Sequence, residues 1–135
     1  MAVLDASVVT AFFLESDAHH ARATRWRDTV VSPDEPWNVP TILLAELAAS
    51  ISRQTGSVQL ANRVLTQFHL LDDVKVFEVG HYLAGSSATI AAAQRIKGCD
   101  AIYVALAAEL DDVLVTFDQE QADRAAPVVR VLVPE

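Results

Sequence analysis

Cysteine is nearly absent: the chain has only Cys99 and can form no internal disulfide. That excludes a disulfide-stapled scaffold and fits a reducing cytoplasm. Positive charge is also scarce, with ten Lys and Arg against eighteen Asp and Glu and a formal net charge of −8. Such a balance argues against a broad nucleic-acid-binding surface. It leaves room for a local basic patch, for metal ions that reverse the sign of one site, and for a basic protein partner. No apolar run reaches the length of a membrane span, and no basic segment precedes an apolar one at the start. The sequence therefore predicts neither a transmembrane helix nor a signal peptide. The four glycines build no phosphate-binding loop of either common spacing, no serine is set between glycines as a nucleophile elbow, and there is no CxxC pair. Internal repeats, low-complexity tracts and linkers are missing too.

What is present is enough for a core. The 135 residues are 52% hydrophobic and 21% charged, the profile of one ordinary globular domain spanning residues 1–135. Asp100 opens an apolar run, Ala101–Ala108, that reads as a buried helix. Asp111 and Asp112 break it. Val113–Phe117 then reads as a buried parallel-type strand, with Asp118 just beyond it. The start of the chain repeats this arrangement: Ala2–Leu4 is a short apolar strand ending in Asp5, and Ser7 leads into a helix over Val8–Leu14.

Between these two ends the alternation continues. Ser16 is placed to cap a helix from Asp17 to Val30 that carries Arg22, Arg25 and Arg27. Ser32–Pro36 is a turn-rich break, and Trp37–Pro40 is extended. Thr41 is placed to cap a helix to about Arg53, closed by Gly56, with Glu46 bordering its apolar stripe. Ser57 caps a helix to about Leu71, and Val74–Val79 alternates as a half-buried strand. An Ala-rich helix over Tyr82–Lys97 stops at Gly98. Gln119–Ala126 is a short helix and Val128–Val133 the final strand. Strands alternating with helices give an α/β domain with a mostly parallel sheet.

Each acid has an ordinary explanation taken alone. Asp5 and Asp118 suit strand-end turns, Asp100 a helix cap, and Glu46 a solvated helix surface. Together they suggest a site, because in an open α/β sheet the functional crevice lies beyond the carboxyl ends of the strands. Carboxylates gathered in one crevice repel unless a cation compensates, and hard ions such as Mg²⁺ and Mn²⁺ take carboxylate and water ligands. This predicts a metal site made of these acids. Ser7 and Thr116 are candidate supporting hydroxyls. The four histidines lack ligand spacing and read as surface or structural. Arg22 and Arg25, three apart, can share a helix face for RNA contact, or simply for solvation.

In this order, Asp5-Ala6-Ser7, the Glu46 helix, Asp100 heading an apolar helix, and Thr116-Phe117-Asp118 resemble the PIN-domain ribonucleases, most of all the VapC toxins of bacterial toxin–antitoxin modules. The resemblance spans essentially the whole chain. It implies a PIN-like (flavodoxin-like) three-layer α/β/α sandwich, an Mg²⁺ or Mn²⁺ cofactor, and endonucleolytic cleavage of RNA by metal-activated water. By position, Asp5, Glu46, Asp100 and Asp118 match the family's acidic quartet and Thr116 its polar residue, which implies that Asp5, Asp100 and Asp118 hold the metal, directly or through waters, with Glu46 as a ligand or water-orienting group. A homodimer and inhibition by a small VapB-like antitoxin are implied as well. The alternatives are a PIN nuclease of RNA processing and a catalytically inactive binding module of the same fold, against which the intact quartet argues. An aspartyl-phosphate phosphatase would want a second Asp where the chain has Ser7. A phospho-accepting receiver would want a Lys near the end of a late strand, where neither Lys75 nor Lys97 lies.

Overall fold

The computed structural model describes residues 1–30 and 35–135. Its centre is the strand the sequence announces first. Strand β1 (Ala2–Leu4) is buried throughout and pairs with β2 (Trp37–Pro40) on one side and β4 (Val113–Val115) on the other. Strands β3 (Val74–Phe77) and β5 (Val131–Leu132) form the edges, in the order β3-β2-β1-β4-β5. Every pairing is parallel. A strand buried on both faces needs apolar side chains in both directions, which is why β1 and β4 read as continuous rather than alternating.

Parallel strands must be joined by crossovers, here made by helices α1 (Ala6–Phe13), α2 (His20–Val30), α3 (Leu43–Thr55), α4 (Val58–His69), α5 (His81–Gln94), α6 (Gly98–Leu110) and α7 (Gln119–Ala125). The chain steps outward from β1 to β2 to β3, then returns across the sheet through α5 and α6 to β4 on the far side of β1. Right-handed crossovers in opposite directions place α1–α4 and α5–α6 on opposite faces, giving three layers. Helix α6 is the innermost, with Ala101 and Tyr103–Ala107 all buried. It packs on β1, β2 and β4 and pairs with α5. Leu43, Leu47 and Ile51 are the fully buried face of α3. Phe12 of α1, Trp26 of α2 and Trp37 of β2 form an aromatic stack, with ring centroids 5.1 to 6.3 Å apart.

Several boundaries differ from the sequence reading, each for a local reason. Helix α2 begins at His20, not Asp17. The Asp17 side chain, rather than Ser16, takes the free amide of His19, at 2.8 Å. Thr41 does not cap α3: Ile42 stands there in helical conformation, and the Thr41 hydroxyl instead accepts the Val79 N–H at 3.3 Å. The helix runs on to Thr55, and Gly56 ends it at φ 70°, a left-handed conformation that glycine adopts without strain. Ser57 caps α4 as expected, accepting the Leu60 amide, though that helix stops at His69. Arg95 ends α5 at φ 57°, so α6 starts at Gly98 and Asp100 is its third residue instead of its cap. The final strand is short because the amides of Val128 and Val129 bond back to Ala125 and hold a turn there. The break expected at Ser32–Pro36 lies mostly outside the described residues.

Candidate active site

The strand order reverses beside β1, between the outward path through β2 and the returning β4. That is where an open parallel sheet leaves a crevice at its carboxyl edge. β1 passes into α1 with no intervening loop, so Asp5 is at once the strand's last link and the helix N-cap. Its backbone N–H donates to the Val115 carbonyl at 3.0 Å, which sets Asp5 abreast of Thr116.

A hydroxyl network locks this junction. Asp5 Oδ2 accepts from Ser7 Oγ at 2.6 Å, from Thr116 Oγ1 at 3.0 Å and from the Ser7 N–H at 3.3 Å. Ser7 Oγ in turn accepts the Phe117 N–H at 3.1 Å, and Thr116 Oγ1 accepts the Asp118 N–H at 3.0 Å. The Asp118 side chain caps α7, accepting the Gln121 N–H at 3.1 Å. The buried Gln121 side chain lies 2.9 Å from Thr116 Oγ1 and reaches toward the Asp100 carbonyl. Ser7 and Thr116 therefore tie the two strand ends to one another.

Asp100 comes in from α6 and Glu46 from α3. Asp5, Ser7, Glu46, Arg53, Cys99 and Asp100 line an open depression of about 490 Å³. Asp100 also faces a narrow crevice shared with Asp118, Gln121, Lys97 and Arg124, and so stands between the two groups of acids. Glu46 is half-buried and its Oε1 accepts the Tyr103 hydroxyl at 2.6 Å. A larger hollow of about 650 Å³ lies by Asp111, Asp112 and Arg130. It sits at the amino end of β4, away from the carboxyl edge.

The electrostatics follow from this crowding. Burial raises the Asp5 pKa above the usual carboxylate value, opposed by the hydrogen bonds from Ser7, Thr116 and Ala6. Burial also raises Glu46, with Asp5 adding to the rise, while Tyr103 and Arg53 oppose it. Asp100 is pushed up to about 6 by burial and then by the charges of Asp5, Glu46 and Asp118, with Lys97 opposing. These four carboxylates share one field.

Among the described residues, no three Asp, Glu, His or Cys side chains stand close enough, as placed, to hold a metal ion. The donor chemistry does fit one. All four groups are hard oxygen ligands, and their mutual repulsion is what a divalent cation would relieve.

Arg22 and Arg25 are placed beside the C-terminal segment. Arg22 lies 5.0 Å over the Phe117 ring and donates to the Pro134 carbonyl, and Arg25 donates to the Glu135 carbonyl at 3.1 Å. His19 stacks on Phe117 with centroids 4.5 Å apart, and His20 bonds the Ala11 carbonyl. Two site residues escaped the sequence reading, Tyr103 and Gln121. Tyr103 lies three residues beyond Asp100 on α6, a spacing that puts side chains on one face, and Gln121 lies three residues beyond Asp118, the cap of α7.

The model of the PIN domain family matches residues 2–127. The chain belongs to the PIN domain family. Among solved structures, Mycobacterium tuberculosis VapC20, a toxin that cleaves the sarcin–ricin loop, is similar at TM-score 0.80 and 19% identity, over 100% of both chains. FitAcB from Neisseria gonorrhoeae gives 0.74 and 20%, over 99% of this chain and 98% of that one. A Klebsiella pneumoniae toxin–antitoxin complex gives 0.71 and 16%, over 100% and 98%. At these identities the likeness speaks for the PIN fold alone. No curated protein matches the sequence. No described helix of this PIN domain is long and apolar enough to cross a membrane.

Proposed function

We propose that this PIN domain is a Mg²⁺- or Mn²⁺-dependent endoribonuclease acting as the toxin of a VapBC-type module. One observation carries the reading: beside the point where the strand order reverses, Asp100 borders both the depression lined by Asp5 and Glu46 and the crevice lined by Asp118, and its carboxyl is raised by burial and then by those three charges. Asp5, Asp100 and Asp118 are the residues to hold the cation. Bound there, it supplies charge compensation and Lewis acidity for phosphodiester hydrolysis.

The protein's own groups do the rest. Ser7 and Thr116 fix the Asp5 carboxylate so that its donor geometry exists before any ligand arrives. Thr116 also anchors the Asp118 backbone, which keeps that acid at the head of α7. Glu46 borders the depression and orients the attacking water. RNA, a polyanion, is repelled by four carboxylates, so substrate and cation bind together. The toxin role is supported by the structural likeness to toxins of toxin–antitoxin pairs. A homodimer and a VapB-like antitoxin with a basic segment follow from that role and suit the net charge of −8.

The test is incubation of the purified protein, freed of any bound partner, with total RNA in Mg²⁺, Mn²⁺ or chelator, beside Asp100→Asn. Cleavage that needs both metal and Asp100 is expected. Cleavage that survives chelator or the substitution would overturn the mechanism, and calorimetry showing no Mn²⁺ binding would favour an inactive binding module.

A further inference from the structure

Tyr103 is the one bulky polar residue in the buried stretch of α6, otherwise built there of Ala, Val and Leu, and it is fully buried. A buried phenol needs a partner for its O–H. Among the described residues, its one hydrogen bond is the 2.6 Å contact to Glu46 Oε1 on the opposing helix. Burial and the neighbouring acids raise the phenol's pKa, so it remains protonated and can serve Glu46 as a donor.

Glu46 needs such a restraint. Its neighbour Asp5 repels it, as it repels Asp100. A glutamate with three free torsions, left unheld, relieves that repulsion by swinging into water. Tyr103 follows Asp100 by one helical turn, so α6 presents its own acid to the depression and grips the acid of α3 with the same face. One oxygen of Glu46 is thereby committed to the phenol. Glu46 makes no other side-chain hydrogen bond among the described residues.

We infer that Tyr103 is a positioning residue, whose hydroxyl fixes the Glu46 carboxylate so that a single oxygen of Glu46 faces the reaction. The inference rests on the hydrolytic reading above, and its test separates the two.

Tyr103→Phe keeps the ring in the core and removes only the hydroxyl. It should lower kcat by about 10–100-fold, the usual cost of losing a group that orients a functional side chain, with KM nearly unchanged. A crystal structure of the metal-free variant should show the Glu46 side chain turned away or spread over several rotamers. In a Glu46→Gln background the same change should cost less than about threefold, since the hydroxyl acts through Glu46. A packing role would instead cost the same factor in both backgrounds. Unchanged kcat in Tyr103→Phe, or Glu46 ordered in its original rotamer, overturns the inference while leaving the nuclease standing. A wild-type protein with no metal-dependent cleavage overturns the nuclease itself.

Discussion

The Ser7 hydroxyl oxygen stands 2.6 Å from the Asp5 carboxylate while accepting the Phe117 amide at 3.1 Å. One side chain thus solvates a buried acid and pins the loop that leads to Asp118. A hydrogen bond to a charged group contributes about 1.5–3 kcal/mol.

Ser7→Ala should therefore destabilise the protein by about 2 kcal/mol at pH 8, measured by denaturant unfolding. Loss of the bond pushes the Asp5 pKa further up. A raised carboxyl pKa costs stability only where the unfolded chain is ionised. The gap between variant and wild type should shrink as pH falls and Asp5 takes up its proton. A gap independent of pH would mean that Ser7 acts through the Phe117 amide alone.

Asp100 gives a second pH dependence. Its carboxyl titrates near 6 in the fold against 3.8 for the free group. Between these values the folded protein keeps a proton that the unfolded chain has lost. The penalty is absent below about pH 4 and complete above about pH 6, so metal-free stability falls as pH rises through that window. Asp100→Asn should be the more stable protein at pH 8, by about 1 kcal/mol, since water screens the half-buried group. Added Mn²⁺ should raise the melting temperature of the wild type at pH 8 and that of the variant far less.

Near the amino ends of the strands, Asn38 donates to the buried Asp112 at 2.8 Å. Asn38→Ala strands a buried carboxylate without its donor and should cost about 2 kcal/mol. Because this pair lies at the opposite edge of the sheet from the four acids, kcat per folded molecule should not change. A loss of kcat would show that the two edges communicate.

The two arginines should separate. Arg22 packs on Phe117 and holds the Pro134 carbonyl, so Arg22→Ala should cost about 1 kcal/mol of stability. Arg25 is exposed, so Arg25→Ala should leave stability unchanged. If Arg25 contacts an RNA phosphate, its loss flattens the slope of log K against log salt by about 0.7–0.9. An unchanged slope removes Arg25 from the interface.

The sheet was legible in the sequence because burial on both faces leaves a signature, as in Val3-Leu4 and Val113-Leu114-Val115. The end of β4 was less so: the sequence reads as a strand on to Phe117 with Asp118 just beyond it, whereas β4 stops at Val115 and Thr116 is the residue that bonds Asp5. Caps were no clearer. Ser16 and Thr41 have the right chemistry, but Asp17 and the β3 end compete for the same amides and hydroxyls, and only tertiary geometry decides between them. Tyr103 was hidden because an aromatic in an apolar helix reads as core, and its polar tip has meaning only once α3 is beside it. Gln121 was hidden likewise, its partner Thr116 lying across the cap of α7.

The central place of β1 has a consequence for how the molecule is made. Its first strand cannot be flanked on both sides until β4 has been synthesised, and the Thr116–Asp5 bond joins residues 111 apart. Contacts of such long range close late and slowly. During translation the acids of β1 and α3 leave the ribosome well before the strand that completes their crevice. A nascent chain therefore carries no assembled crevice until β4 and the turn to Asp118 have followed.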